Sequence, residues 1–234
     1  MTNLLRLLLI LVLMTTACTP TPESAVKLAA GTFNAETLGL ALLLEFDFDT
    51  PFSDVVPVTV TGPTGWNQDK AAELEVPFLN AQGKMRSVLT SDAPLMPGTY
   101  TVTVGLTQPV VLSARVNSLE ALERPRNVQA SSGTFSISAR WDKVENAAFY
   151  IARSLEADAS GNVRLFGETY TTETEAILPG LSTEGVRQQV DVFAYDYRFL
   201  NKDIPFPDSV RVSLSERVDV TFLGLQEARM LPLR

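Results

Sequence analysis

Histidine is absent from the 234 residues, and cysteine occurs once, as Cys18. The missing histidine removes the commonest general base and the commonest metal ligand. Together the two shortages exclude a Cys/His zinc site, an internal disulfide and hydrolysis by a Ser-His-Asp or Cys-His device. Positive charge is also scarce: 19 Lys and Arg face 27 Asp and Glu, a formal net charge of −8. Such a surface repels a polyanion, so nucleic acid is not an expected partner. The sequence has no phosphate loop, dinucleotide glycine pattern or DNA-reading motif, and no cofactor is expected. Beyond the extreme N-terminus no apolar run is long enough to cross a bilayer.

Carboxylates remain as candidate chemistry. Asp47, Asp49 and Asp54 lie close in sequence, but the calcium-loop spacing with its central glycine is absent. Alternating acids on an exposed strand face account for Asp47 and Asp49 without a metal. Nothing in the sequence holds two acids at the separation a glycosidase needs. The expectation is a protein that binds and does not catalyse.

What is present begins at the N-terminus. Arg6 precedes an apolar run from Leu7 to Met14, followed by Thr15, Thr16, Ala17 and Cys18. A single positive charge, a short apolar core and small residues before a cut site describe a signal peptide. The segment resembles the lipobox of bacterial lipoproteins: Ala17 matches the small residue, and Cys18 the cysteine that becomes diacylated. Thr15 stands where that family usually has Leu. The resemblance implies lipid attachment at Cys18 and a membrane-anchored protein facing the periplasm or the cell exterior. Thr19 in place of Asp favours the outer membrane. Plain secretion and a retained anchor are the alternatives. Thr19-Pro20-Thr21-Pro22-Glu23-Ser24 is polar and proline-rich, which suits an extended spacer.

From Gly31 onward, short β-type runs alternate with turns. Leu40–Asp49, Pro57–Thr61, Ala72–Phe78, Met85–Leu89, Gly98–Val104 and Val110–Val116 are predicted strands, and Gly62-Pro63-Thr64-Gly65 is a strong turn. This rhythm suits an immunoglobulin-like sandwich. Gly98-Thr99-Tyr100-Thr101-Val102 resembles a late-strand motif of bacterial Ig-like domains, which implies a corner tyrosine whose hydroxyl bonds backbone. In the second half, Pro125 leads a strand, Trp141 ends the next, Phe149-Tyr150 opens a third, Leu178 to Leu181 form a Leu-x-x-Leu turn, and Val190, Val192 and Ala194 form a V-x-V-x-A strand. This order resembles a fibronectin type III domain from Pro125 to about Phe222. Gln188 stands where that family has its corner tyrosine.

The expected fold is therefore all-β: two tandem immunoglobulin-like/fibronectin III-like β-sandwiches after a signal peptide. The expected divisions are a leader (1–17), lipidated Cys18 and linker (18–30), an Ig-like sandwich (31–118), a joint (119–125), a fibronectin III-like sandwich (126–223) and a tail (224–234). The joint is expected to hold the sandwiches end to end, with a helical turn before Pro125.

The candidate binding surface follows from period two. With Val190, Val192 and Ala194 facing the core, Asp191, Phe193, Tyr195 and Tyr197 point to the other face. Tyr150 joins them if Phe149 is inward. A solvent-facing aromatic stripe needs a reason. It can pack on the first domain or on the connection that follows. It can meet a protein partner, for which Tyr and Arg are favoured contacts. It can also stack on sugar rings. The connection Arg198–Val210, with Phe199 and Phe206 and two stiffening prolines, either carries recognition or folds back over the sandwich. The predicted function is a non-catalytic adhesion, scaffolding or envelope-assembly module with a protein partner. The alternative is a module holding envelope polysaccharide.

Mass spectrometry of the protein from its native membrane is expected to find acyl chains on Cys18. A water-soluble mature form starting elsewhere would end the lipoprotein reading.

Overall fold

The computed structural model describes residues 26–52, 54–76, 81–133, 135–158, 160–180 and 186–222. Cys18, the leader and the tail 224–234 lie outside them. The first half contributes β1 (Val26–Asn34), β2 (Leu38–Phe52), β3 (Val56–Thr61), β4 (Ala72–Val76), β5 (Ala81–Ser91), β6 (Gly98–Val104) and β7 (Val110–Val116). The second contributes β8 (Gln129–Ser132), β9 (Ser136–Arg140), β10 (Phe149–Ala157), β11 (Val163–Thr171), β12 (Glu175–Pro179), β13 (Arg187–Tyr195) and β14 (Arg211–Leu214). Two short strands, β15 (Val218–Asp219) and β16 (Thr221–Phe222), follow.

Both halves divide their strands in the same way. The first, second and fifth strands pair in one sheet, as β1-β2-β5 and β12-β9-β8. The third, fourth, sixth and seventh pair in the other, as β4-β3-β6-β7 and β11-β10-β13-β14. The chain is an all-β protein of two sandwiches. The composition of residues 18–30 reads as spacer, yet Val26–Ala30 are the first part of β1. Antiparallel pairing with Leu42–Phe46 gives each of them a ladder partner.

Two cores sit between the sheets. In the first, Leu40, Leu42, Leu44 and Phe46 of β2 pack on Val58, Val60, Val102 and Val104. The Gly62–Gly65 turn, with Gly65 at φ 86°, returns the chain so that Trp66 enters this core. There Trp66 lies edge-on to Tyr100 at 5.2 Å. The Tyr100 hydroxyl donates to the Met96 carbonyl at 2.7 Å and accepts from the Met96 N–H at 3.1 Å, so a buried phenol is satisfied by backbone. In the second core, Ile137, Leu178, Val190 and Val192 surround Trp141.

The two sandwiches share a sheet. β14 pairs in parallel with β1, matching Thr32 with Arg211, Phe33 with Val212 and Asn34 with Ser213. This joins the strands into one eight-stranded sheet, β11-β10-β13-β14-β1-β2-β5, with β15 beside β13. Both four-stranded sheets cover the same side of it. Along β1 and β2 the first-core residues alternate with Ala29, Phe33, Ala41 and Leu43. Along β10 and β13 the second-core residues alternate with Phe149, Ile151, Phe193 and Tyr195. All eight of these alternate residues belong to a third apolar cluster on the opposite, outer face. β2 is consequently apolar on both sides, with Leu40 to Leu44 all at 0 % exposure, the pattern of a central strand.

The sandwiches thus lie side by side, which corrects the end-to-end expectation. The joint takes no helical turn either. Its backbone runs along the inner side of the seam, where side chains from both halves use its carbonyls. Thr32 Oγ1 donates to Glu120 O at 3.0 Å, Asn34 Nδ2 to Leu122 O at 2.7 Å and Ser213 Oγ to Glu123 O at 2.7 Å. A helical turn would have used those acceptors itself. Arg211 adds charge to the seam, reaching Asp196 at 2.8 Å and Glu120 at 2.7 Å.

Gly31 allows β14 to approach. A Cβ at this position would lie 1.8 Å from the Val210 carbonyl oxygen, whose backbone accepts the Thr32 N–H at 3.1 Å. Gly31→Ala is expected to lower unfolding stability by about 1–3 kcal/mol, the usual range for overpacking. Denaturant titration checks this, and an unchanged midpoint would mean that the seam tolerates separation.

Candidate functional site

The outer face of the shared sheet gathers most of the sequence-predicted aromatics. Phe193 and Tyr195 lie on it from β13, and Tyr197, Phe199 and Phe206 come from the connection 197–210, here called the strap. Phe149 stacks on Tyr195 at 4.8 Å, and Phe199 meets both rings edge-on at 5.3 and 5.2 Å. Phe33 of the first sandwich stacks with Phe193 of the second at 6.3 Å. The aromatic cluster therefore bridges the seam.

Tyr150 is not part of this face. It is 3 % exposed in the second sandwich core, where its ring lies 5.4 Å from Trp141 and its hydroxyl accepts the Val144 N–H at 2.9 Å. Phe149 takes the outer position that the sequence reading gives to Tyr150. Phe149, Tyr150, Ile151 and Ala152 are all apolar and all buried, so period two has no polar residue to mark its phase. The phenol goes where a backbone N–H awaits it. In this half the hydroxyl–backbone bond thus comes from Tyr150, while Gln188 is buried at the corner position.

The outward parity of Asp191, Phe193 and Tyr195 agrees with the structure, but this face is largely covered. Tyr195 and Phe199 are 6 and 7 % exposed. Phe193, Tyr197 and Phe206 are partly buried. Burial pushes the Tyr195 hydroxyl well above the usual tyrosine range. On neighbouring β11, Tyr170 is half-exposed and donates to the Glu168 carboxylate. Its own burial, then the Glu168 bond and charge, push its hydroxyl up to about 12.

Two ionic groups organise the face. Beside Phe193, Arg153 makes a two-pronged contact with buried Asp191 at 2.8 and 2.7 Å, and its guanidinium lies 4.4 Å from the Phe193 ring centre. Arg217 stands 3.7 Å from the same carboxylate. The second group is at the far edge of the sheet. Arg86 of β5 donates to Glu45 of β2 at 2.6 Å, and the two residues are 8 and 3 % exposed. Arg86 also reaches the strap, donating to the Tyr197 hydroxyl at 2.6 Å, the Asn201 carbonyl at 2.8 Å and the Ile204 carbonyl at 2.8 Å.

Local sequence pattern does not single out Arg86, Glu45 or Arg153 as site residues. One signal was available: Glu45 interrupts the apolar run Leu42-Leu43-Leu44-Glu45-Phe46, and an acid inside a two-sided apolar strand calls for a buried cation. The identity of that cation depends on long-range pairing. Strap residues Leu200 and Arg198 form a shallow depression with Phe149, Tyr170, Thr171 and Thr172. A broader trough lies on the far sheet of the second sandwich, among Gln129, Arg140, Glu175 and Ile177. Arg140 there is turned onto Gln129 at 2.9 and 2.6 Å.

No family model and no curated protein matches the chain. Among solved structures it is similar to the FN1–FN3 domains of chicken CNTN1, at 17 % identity and a TM-score of 0.30, over 82 % of this chain and 65 % of that one. The chain thus spans just under two thirds of that fragment. It is also similar to a chain in the crystal structure of Dpr11 IG1 bound to DIP-gamma IG+IG2, at 9 % identity and a TM-score of 0.22, over 84 % of this chain and 98 % of that one. The repeated three-plus-four strand arrangement defines both halves as immunoglobulin/fibronectin III-like sandwiches.

Burial opposes ionisation of Glu45, but hydrogen bonds and charge from Lys27 and Arg86 outweigh it and hold the carboxyl below the usual range. A depressed folded value contributes stability that is fully present above the unfolded value of about 4.3. That contribution is lost as pH falls through the lower folded value. Acid unfolding followed by circular dichroism is expected to show a shallower acid limb in Glu45→Gln. An identical limb in both proteins would remove Glu45 from the account.

Proposed function

We propose that this chain is a lipid-tethered, non-catalytic scaffold of the bacterial cell envelope that binds a protein partner on the outer face of its shared sheet. The observation that carries the reading is the composite patch around Phe193. The ring is partly exposed, capped by Arg153, and backed by Phe33 from the other sandwich. Aromatic and Arg side chains held rigid in this way lose little entropy when a partner covers them. The acyl group on Cys18 is the proposed tether. The acidic surface suits a soluble body held above a membrane.

Stacking on polysaccharide requires an exposed row of rings. Tyr195 and Phe199 are buried against neighbours, so their faces are not free to stack on sugars. Partly buried Phe193, Tyr197 and Phe206, with half-exposed Tyr170, are the rings described on this face that could support that alternative.

The test is photo-crosslinking in cells with benzoylphenylalanine at position 193, and at exposed Val111 as the control. The expected result is a discrete protein adduct at 193 that is absent at 111. Envelope polysaccharide retained by the wild type and lost in Phe193→Ala and Tyr170→Ala, with no protein adduct, would replace this reading with the sugar-binding one.

A further inference from the structure

The ladder that joins the sandwiches is short. β1 and β14 match only three residue pairs, Thr32–Asn34 with Arg211–Ser213. A parallel ladder of that length is a hinge unless something restrains it on both sides. On the inner side the joint does so, through the bonds from Thr32, Asn34 and Ser213 to its carbonyls. On the outer side the Phe33–Phe193 stack bridges the seam, and the strap spans it. It leaves the second sandwich after β13 and crosses to Arg86 on β5, the far strand of the first sandwich's part of the sheet. It then returns to begin β14.

Arg86 is built to hold it. Four of its N–H donors are taken: one by Glu45, and three by the Tyr197 hydroxyl, the Asn201 carbonyl and the Ile204 carbonyl. The guanidinium also lies 5.5 Å from the Tyr197 ring centre and 5.9 Å from that of Phe206. Tyr197 passes its own proton toward the Pro205 carbonyl at 2.8 Å, which closes the strap on itself. With Arg86 at 8 % exposure, water does not readily replace these acceptors, so letting go leaves buried donors unpaired. The lever is long. Three strand spacings of about 4.8 Å put β5 about 14 Å from β14. A rotation of about 10° at the seam would then move Arg86 by about 2.5 Å, enough to break bonds of normal hydrogen-bond length.

We infer that the strap is a latch: by carrying Tyr197, Asn201 and Ile204 from the second sandwich to Arg86 of the first, it fixes the angle between the two sandwiches. The latch stands on geometry alone. Its consequence for binding rests on the docking reading above, because the Phe33–Phe193 patch exists only at that angle.

Hydrogen–deuterium exchange of the full chain tests the latch. The main variant is Arg86→Met with Glu45→Gln, so that no buried carboxylate is left without its arginine. Amides of 32–34 and 211–213 are expected to exchange at least tenfold faster than in the wild type. Core amides at 58–60 and 137–139 are expected to keep their rates. Faster exchange confined to strap residues 199–204, with the seam unchanged, would make the strap a cover and overturn the latch. Should the double variant unfold, Tyr197→Phe gives the answer, since it removes one hydroxyl and keeps the ring. Seam exchange accelerated about twofold or more supports the latch, and an unchanged seam overturns it. A seam that responds as expected while position 193 yields no adduct keeps the latch and removes the docking reading.

Discussion

The parallel contact between β1 and β14 is the constraint on which the remaining structure depends. Two sandwiches joined only by a linker each present a separate exposed sheet. Pairing β1 with β14 makes a single sheet, and every later feature follows from it. The joint must run along the inner seam, where Thr32, Asn34 and Ser213 use its carbonyls. The outer faces of two half-sheets become one surface large enough to gather an apolar cluster. The loop between β13 and β14, which starts beside that surface, can cross it. Gly31 is the local condition, since any side chain there would meet the Val210 carbonyl.

Polar groups are placed where this arrangement requires direction. The apolar clusters supply most of the driving force, at about 25 cal/mol per Å² removed from water, but they do not choose an angle or a register. Glu45, Arg86, Arg153 and Asp191 lie on the outer face, and each has named partners at hydrogen-bond distance. Buried pairs of this kind add little net stability, yet they are costly to break. They therefore act as position markers. Arg86 marks where the strap lands, and Arg153 marks the plane of Phe193.

Much of the fold was legible in the sequence. Alternation marked most strands, Gly62–Gly65 marked a turn that feeds Trp66 into its core, and Tyr100 carries a motif whose hydroxyl does bond backbone. The parity of Val190, Val192 and Ala194 against Phe193 and Tyr195 was readable because Asp191 punctuates the run. At Phe149–Ala152 no polar residue breaks the pattern, so local periodicity does not reveal that Tyr150 faces the core. β11 is hard to see because its residues are mostly exposed or half-buried and alternate weakly. The covering of the aromatic stripe by the strap is a contact between segments far apart in sequence. Local periodicity carries no record of it.

By itself the sequence determined the chemistry of the chain: no histidine to exchange protons at neutral pH, one cysteine, an excess of acid, and short alternating runs that can only bury their apolar sides as stacked sheets. These are properties of residue type and spacing between near neighbours. Only the tertiary structure decided that the sandwiches lie side by side, that Arg86 answers Glu45, and that the stripe became part of an outer-face cluster spanning both sandwiches, with Phe193 at its margin. Those outcomes depend on which strand edges meet. Edge pairing is set by backbone hydrogen bonds, which every residue except proline offers alike, so the choice is made by the packing of the whole chain.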